Sequence, residues 1–214
     1  MSRIIDSGLE ELSATLNKMG ELAHRTVLAA ITECFEDKQA YNVIREMSDT
    51  LVFMAEHVED KAFELIARFQ PVASDLRTIK SYMKIAYDFA RFGRYALDMS
   101  YTNQKLGGVR NCDAWIASHI KEMSKKTLEM ISLSISSLKS HDAQLAEKAA
   151  QAEKEIDKMY FDFLNKLVEQ AGAATGCIVS SILIVRYLER IADHATYICE
   201  SIIYIATGRK LSLR

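Results

Sequence analysis

The sequence predicts an all-α fold, a tandem duplication of two antiparallel three-helix bundles made from six long helices. Three observations predict it. One proline and eight glycines in 214 residues are too few for a turn-rich sheet protein. Apolar residues recur at heptad-like spacing along most of the chain. The second half also repeats the pattern of the first. With 49% hydrophobic and 26% charged residues, the chain has the composition of a folded protein with a sizeable core, which excludes disorder.

The first helix is expected over about Ser7 to Glu36, with Leu9, Leu12, Leu16, Met19, Ala23 and Ala30 on one stripe. A second is expected from about Asp37 to Phe69. Pro71 is then placed to open the third, because proline is tolerated in a first helical turn and not inside a helix. That helix should reach about Tyr101 with Ile85, Phe89, Phe92, Ala96 and Met99 facing inward. The stretch Asn103 to Asn111, with Gly107-Gly108, reads as the linker, dividing the chain into domains 1–104 and 111–208.

The fourth helix is expected over Asp113 to Lys139, with Ile116, Ile120, Met123, Thr127, Met130 and Leu138 as its apolar stripe. Asp142 is its successor's N-cap, and the fifth helix runs to about Gln170. Ala171 to Gly176 reads as a small-residue turn. The sixth carries Ile184, Leu188, Ile191, Ala195, Ile198, Ile202 and Ile205, and Gly208 ends it. The run Ile85–Ala96 overlays Ile184–Ala195 position for position, sharing Ile85/Ile184, Arg91/Arg190 and Ala96/Ala195.

A formal charge of -2 gives no electrostatic reason to expect nucleic acid. The start MSRIIDSGLEELS lacks the apolar core of a signal peptide, and no stretch of about 18 apolar residues is available to span a membrane. Cys34, Cys112, Cys177 and Cys199 are far apart without a CxxC pair, three of them in helical segments where cysteine acts as a small hydrophobe. A reduced, cytoplasmic setting is the simplest expectation.

Chemistry concentrates on the last two helices. Glu189 and Asp193 are four apart and share a helix face, nearly opposite the isoleucine stripe, with Glu200 on the same side. Glu153 and Asp157 form a second such pair on helix five. If the two helices are antiparallel neighbours, the four acids meet in one surface groove. Salt bridges to Arg190, Lys154 and Lys158 would offset their repulsion; a multivalent cation of the Mg, Mn or Fe class, held by oxygen ligands, is the other reading. His194 adjoins this set. Glu21 and His24 form a lone ExxH pair, short of the two that a di-iron carboxylate bundle uses. Trp115 is expected to pack in the core. No Gly-rich phosphate loop or nucleophile arrangement is visible, and no arginine cluster at helix N-termini marks a site for free phosphate.

The run from Arg186 to Gly208, with Glu189, Asp193 and His194, resembles the last helix of PhoU proteins and its E(D)xxxD motif. Gln70-Pro71-Val72-Ala73-Ser74-Asp75-Leu76-Arg77 resembles the entry to helix three of the same family. The resemblance implies surface metal clusters and a non-catalytic role in phosphate homeostasis. It further implies negative regulation of a phosphate ABC transporter and contact with a sensor histidine kinase. A homodimer is expected. In the overlay Ala90, Arg94, Ser48 and Val52 stand where the second half has Glu189, Asp193, Glu153 and Asp157. A metal site is therefore expected in the second half only. Two other readings remain: a regulator of a different transporter on the same fold, and a carboxylate-cluster metalloenzyme.

Overall fold

A computed structural model describes residues 4–36, 39–170 and 176–213. Six helices follow in order: α1 (Ile4–Phe35), α2 (Tyr41–Phe69), α3 (Ala73–Leu106), α4 (Ala114–Ser140), α5 (Ala143–Gln170) and α6 (Gly176–Thr207). The expected stripes form the core. Leu12, Leu16 and Met19 are buried, as are Ile85, Phe89 and Phe92, Ile116, Ile120 and Met123, and Ile184, Leu188 and Ile191. Leu9 and Ile205, at the ends of their stripes, are only partly covered.

Helices α1, α2 and α3 pack on one another, as do α4, α5 and α6. The two bundles join because α3 packs along α6 and α1 meets α4. The centre is therefore a ring of α1, α3, α6 and α4, with α2 and α5 on its flanks. Along the α3–α6 seam Asp88 meets His194, and Tyr95 stacks on Tyr187 with ring centroids 6.3 Å apart. The overlay that sets Ile85 on Ile184 carries Asp88 onto Tyr187 and Tyr95 onto His194. It exchanges these two contacts, so the halves are related by a pseudo-twofold axis across an antiparallel helix pair.

The connections differ in detail from the sequence expectations. Asp37 and Lys38, where the second helix was expected to begin, lie outside the described residues, and α2 is helical from Tyr41. The Glu33 carboxylate, itself buried, accepts the Ala40 N–H at 2.9 Å and the Ser100 hydroxyl, and so tethers this entry to α1 and α3. Pro71 precedes α3 without opening it. Gln70, kept out of the right-handed region by the proline after it, is left-handed (φ 43), and Val72 is extended. The first intrahelical bond is Leu76 N–H to the Val72 carbonyl, 3.0 Å. Helix α3 also continues through Asn103 to Leu106, which the sequence assigns to the linker. It stops where Gly107 (φ 84) can turn left-handed without a Cβ penalty and donate to the Asn103 carbonyl. Asp142 caps α5 as expected, accepting the Gln144 and Leu145 N–H groups at 2.9 and 3.0 Å. The small-residue turn at 171–175 lies outside the described residues.

The linker is fixed rather than loose. Gly108 is left-handed (φ 63), and a Cβ there would collide with Asn103 Oδ1 and lie 2.9 Å from the Cys34 carbonyl oxygen. Val109 donates its N–H to that same carbonyl. Gly108→Ala is expected to destabilise the chain by about 2 kcal/mol, combining left-handed strain with displacement of Asn103. Urea unfolding checks this, and an unchanged midpoint would refute it.

The cysteines depart from expectation. Cys112 and Cys177, which read from sequence as separate residues, form a disulfide with Cα atoms 5.5 Å apart. Folding brings the end of the linker beside the first turn of α6, a proximity that spacing alone does not reveal. Cys34 and Cys199 are free and buried, as small hydrophobes. No helix among the described residues is long and apolar enough to cross a membrane.

Candidate functional site

Glu153 and Asp157 sit one helical turn apart on α5, and Glu189 and Asp193 likewise on α6, which packs against α5. The expectation of a surface groove fails on burial. Glu153, Glu189 and Asp193 are buried, Asp193 to 2% exposure, and Asp157 is half-buried. The reason is topological: α6 touches α3, α4 and α5, so the face opposite its isoleucine stripe is covered as well.

The acids on α6 are met by arginines of their own helix. Arg186 Nη1 lies 2.7 Å from Glu189 Oε2, and Arg190 Nη1 lies 2.6 Å from Asp193 Oδ2. Each pair is three residues apart, a spacing at which helix side chains reach one another. Of the cations expected to neutralise the acids, Arg190 does so, while Arg186 takes the place given to Lys154 and Lys158. Carboxylate oxygens suit a hard cation. Among the described residues, however, no three His, Cys, Asp or Glu side chains converge closely enough to hold one. A guanidinium stands on one oxygen of each α6 acid instead.

Glu200, placed on the same side from sequence, serves elsewhere. It accepts the Leu213 N–H at 3.0 Å and lies 4.0 Å from Lys84 on α3. His194 also turns away from the acids. Its Nδ1 is 2.7 Å from Asp88 Oδ1, and its Nε2 is 3.4 Å from the Tyr95 hydroxyl. Arg91 donates to that hydroxyl at 2.6 Å, so a polar chain of Arg91, Tyr95, His194 and Asp88 runs through the seam between the halves. Burial pushes the Asp88 carboxyl above the usual carboxylate range, against the opposing pull of His194. Asp88 does not stand out in the sequence; the structure places it and its overlay partner Tyr187 on the same seam. Glu21 bridges to Lys139 of α4 at 2.8 Å, and burial holds His24 below the ordinary imidazole range. Trp115 is half-buried against Phe163, with Lys166 over its ring.

In the first half the corresponding place is a groove of about 530 Å3 between α2 and α3, lined in part by Val52, Ala90 and Arg94. Arg94 reaches across to Asp49 of α2 at 3.0 Å. Ser48 is fully buried where α2 approaches Gly93, and a Cβ on that glycine would lie 3.2 Å from Ser48 Cα. The two halves therefore carry opposite chemistry at equivalent places: acids with helical arginines in one, a cation bound to a neighbouring acid in the other.

A model of the PhoU domain matches residues 16–102 and again residues 120–202. The chain belongs to the PhoU family. The paired matches fall one on each half of the duplicated fold. A phosphate-specific transport system accessory protein, PhoU homolog, from Clostridium acetobutylicum is 30% identical over 99% of this chain and 98% of its own length. A homolog of the same description from Pseudomonas putida is 29% identical over 97% of this chain and 82% of its own. The crystal structure of PhoU from Pseudomonas aeruginosa superposes with a TM-score of 0.88 at 27% identity, covering 96% of this chain and all of that one. The phosphate transport system regulatory protein PhoU from Streptococcus pneumoniae shares the fold, with a TM-score of 0.84.

Proposed function

We propose that this PhoU-family chain is a non-catalytic, cytoplasmic regulator of phosphate uptake, acting as a homodimer on a phosphate ABC transporter and a sensor histidine kinase. The observation that carries this reading is full-length similarity to accessory proteins of phosphate-specific transport, with both PhoU domains present. The polar groups support a binding role. Glu189 and Asp193 are paired with Arg186 and Arg190, and His194 with Asp88, so none of these groups stands free as a general base or nucleophile. Long helices present extended faces for partners. Phosphate uptake in a strain lacking this chain, measured at high external phosphate, tests the proposal. Unrestrained uptake is expected; uptake equal to the parent, together with no co-purification of transporter components, would refute it.

The second-half acids extend the reading to metal. Glu153, Asp157, Glu189 and Asp193 would supply oxygen ligands to a cation of the Mg, Mn or Fe class, with Arg186 and Arg190 giving way. Ala90 and Val52 offer no ligand atoms, and Arg94 would repel a cation. Calorimetric titration with Mn2+ is expected to show binding that falls at least tenfold in Asp193→Asn and is unaltered in Arg94→Ala. Equal binding by the Asp193 variant would place any metal elsewhere.

A further inference from the structure

We propose that a cleft between the start of α3, the end of α6 and the C-terminal tail binds a phosphate-type oxyanion. The cleft has a volume of about 370 Å3 and is lined by Lys80, Ser81, Lys84, Glu200, Tyr204 and Lys210, among others. Lys80 and Lys84 are one helical turn apart on α3, and Lys210 follows the end of α6. The tail is drawn over this site because the Leu213 N–H binds Glu200.

Among the described residues, three ammonium groups therefore line one cleft with a single carboxylate. Glu200 is shared between Lys84, at 4.0 Å, and the tail N–H. Among the described residues, Lys80 and Lys210 form no close ion pair, the one carboxylate of the cleft being shared as above. Arg77 adds positive charge beside them. Both Arg77 and Lys210 lie over the Tyr204 ring, at 5.8 and 5.7 Å from its centroid, so the ring holds two cations at one edge of the cleft. Arg77 Nε is buried with no hydrogen-bond partner. Like charges gathered in this way repel one another, and a bound polyanion relieves the repulsion.

Hydroxyl chemistry narrows the anion. Ser201 gives its proton to the Tyr197 carbonyl at 2.8 Å, which leaves the Ser81 and Tyr204 hydroxyls and the ammonium groups as donors. Several donors around a small volume suit a tetrahedral oxyanion with acceptors on every side, and lysine recognises phosphate as a point charge. No spacing pattern points to this site, because Lys80 and Lys210 are far apart along the chain. The choice of phosphate over other oxyanions rests on the proposed role in phosphate uptake; the basic cleft does not.

The test is calorimetric titration of the full chain, at low ionic strength in a phosphate-free buffer. The probes are inorganic phosphate, a sugar phosphomonoester and sulfate. Saturable binding of inorganic phosphate is expected, weakened at least tenfold in Lys80→Ala/Lys210→Ala and unchanged in Lys148→Ala, whose lysine lines a different groove. Saturation by the phosphomonoester alone also supports the site and identifies its ligand as a phosphorylated metabolite. No saturation by either, equal affinity for sulfate, or undiminished binding by the double variant would overturn the proposal. Both substituted lysines are exposed, so melting curves of the variants should match the parent. The measurement contains no transporter, so its failure and a failure of the uptake experiment are separate results.

Discussion

Reduction of the Cys112–Cys177 disulfide is expected to lower the stability of the oxidised chain by about 4 kcal/mol, the loop-closure entropy for a bridge of this span. The two cysteines are separated by 65 positions, and the loop between them contains the whole of α4 and α5. The bridge turns the second bundle into a closed ring and ties the start of α6 to the linker. In a reducing compartment the same sulfurs are thiols, so this stabilisation depends on redox state. Urea unfolding of oxidised and reduced protein measures the difference, and Cys112→Ser/Cys177→Ser should match the reduced form. Thiol counting gives an independent check. Burial pushes Cys34 and Cys199 up to about 12, which leaves almost no thiolate to react in the native state. Native oxidised protein should therefore resist alkylation, and mild reduction should expose Cys112 and Cys177 alone. Equal midpoints, or rapid labelling without reductant, would show that the bridge does not form.

Helix number and the core stripes were legible because a heptad-like pattern is a local property. Leu12, Leu16 and Met19 announce a buried face whatever they pack against, and all three are buried. Cap residues were legible where the chemistry is local too, as at Asp142. What could not be read is what depends on third partners. The same-face geometry of Glu189 and Asp193 followed from their spacing. Their burial did not, because it comes from α3 and α4 lying beside α6 as well as α5. The end of α3 was misplaced because Asn103 reads as a turn residue, although Gln104, Lys105 and Leu106 after it are good helix formers and the positive φ of Gly107 sets the actual stop. The disulfide, the Glu33 tether and the lysine cleft each join residues distant in sequence, and no spacing rule connects them.

Replacement of His194 by alanine should destabilise the chain by about 3 kcal/mol, because it strands a buried carboxyl. Asp88 is 1% exposed, its Oδ1 is held by His194 Nδ1, and its Oδ2 has no hydrogen-bond partner. With the imidazole gone, Lys84 and Glu200 are the remaining charged neighbours felt by the carboxyl, and they act in opposite directions. Tyr95 would lose one partner of its hydroxyl on α6 as well, keeping Arg190. The pseudo-twofold suggests the compensating change. At the equivalent point of the seam, the apolar ring faces of Tyr95 and Tyr187 stack on one another. Asp88→Leu/His194→Leu should therefore recover most of the loss, since an apolar pair can replace a buried polar one at little net cost. A double-mutant cycle by urea unfolding decides the matter. Additive losses, or a single-variant effect below about 0.5 kcal/mol, would mean that the pair does not hold the two halves together. Strong coupling would make the Asp88–His194 contact the polar lock that fixes α3 against α6, and with it the relative placement of the two PhoU domains.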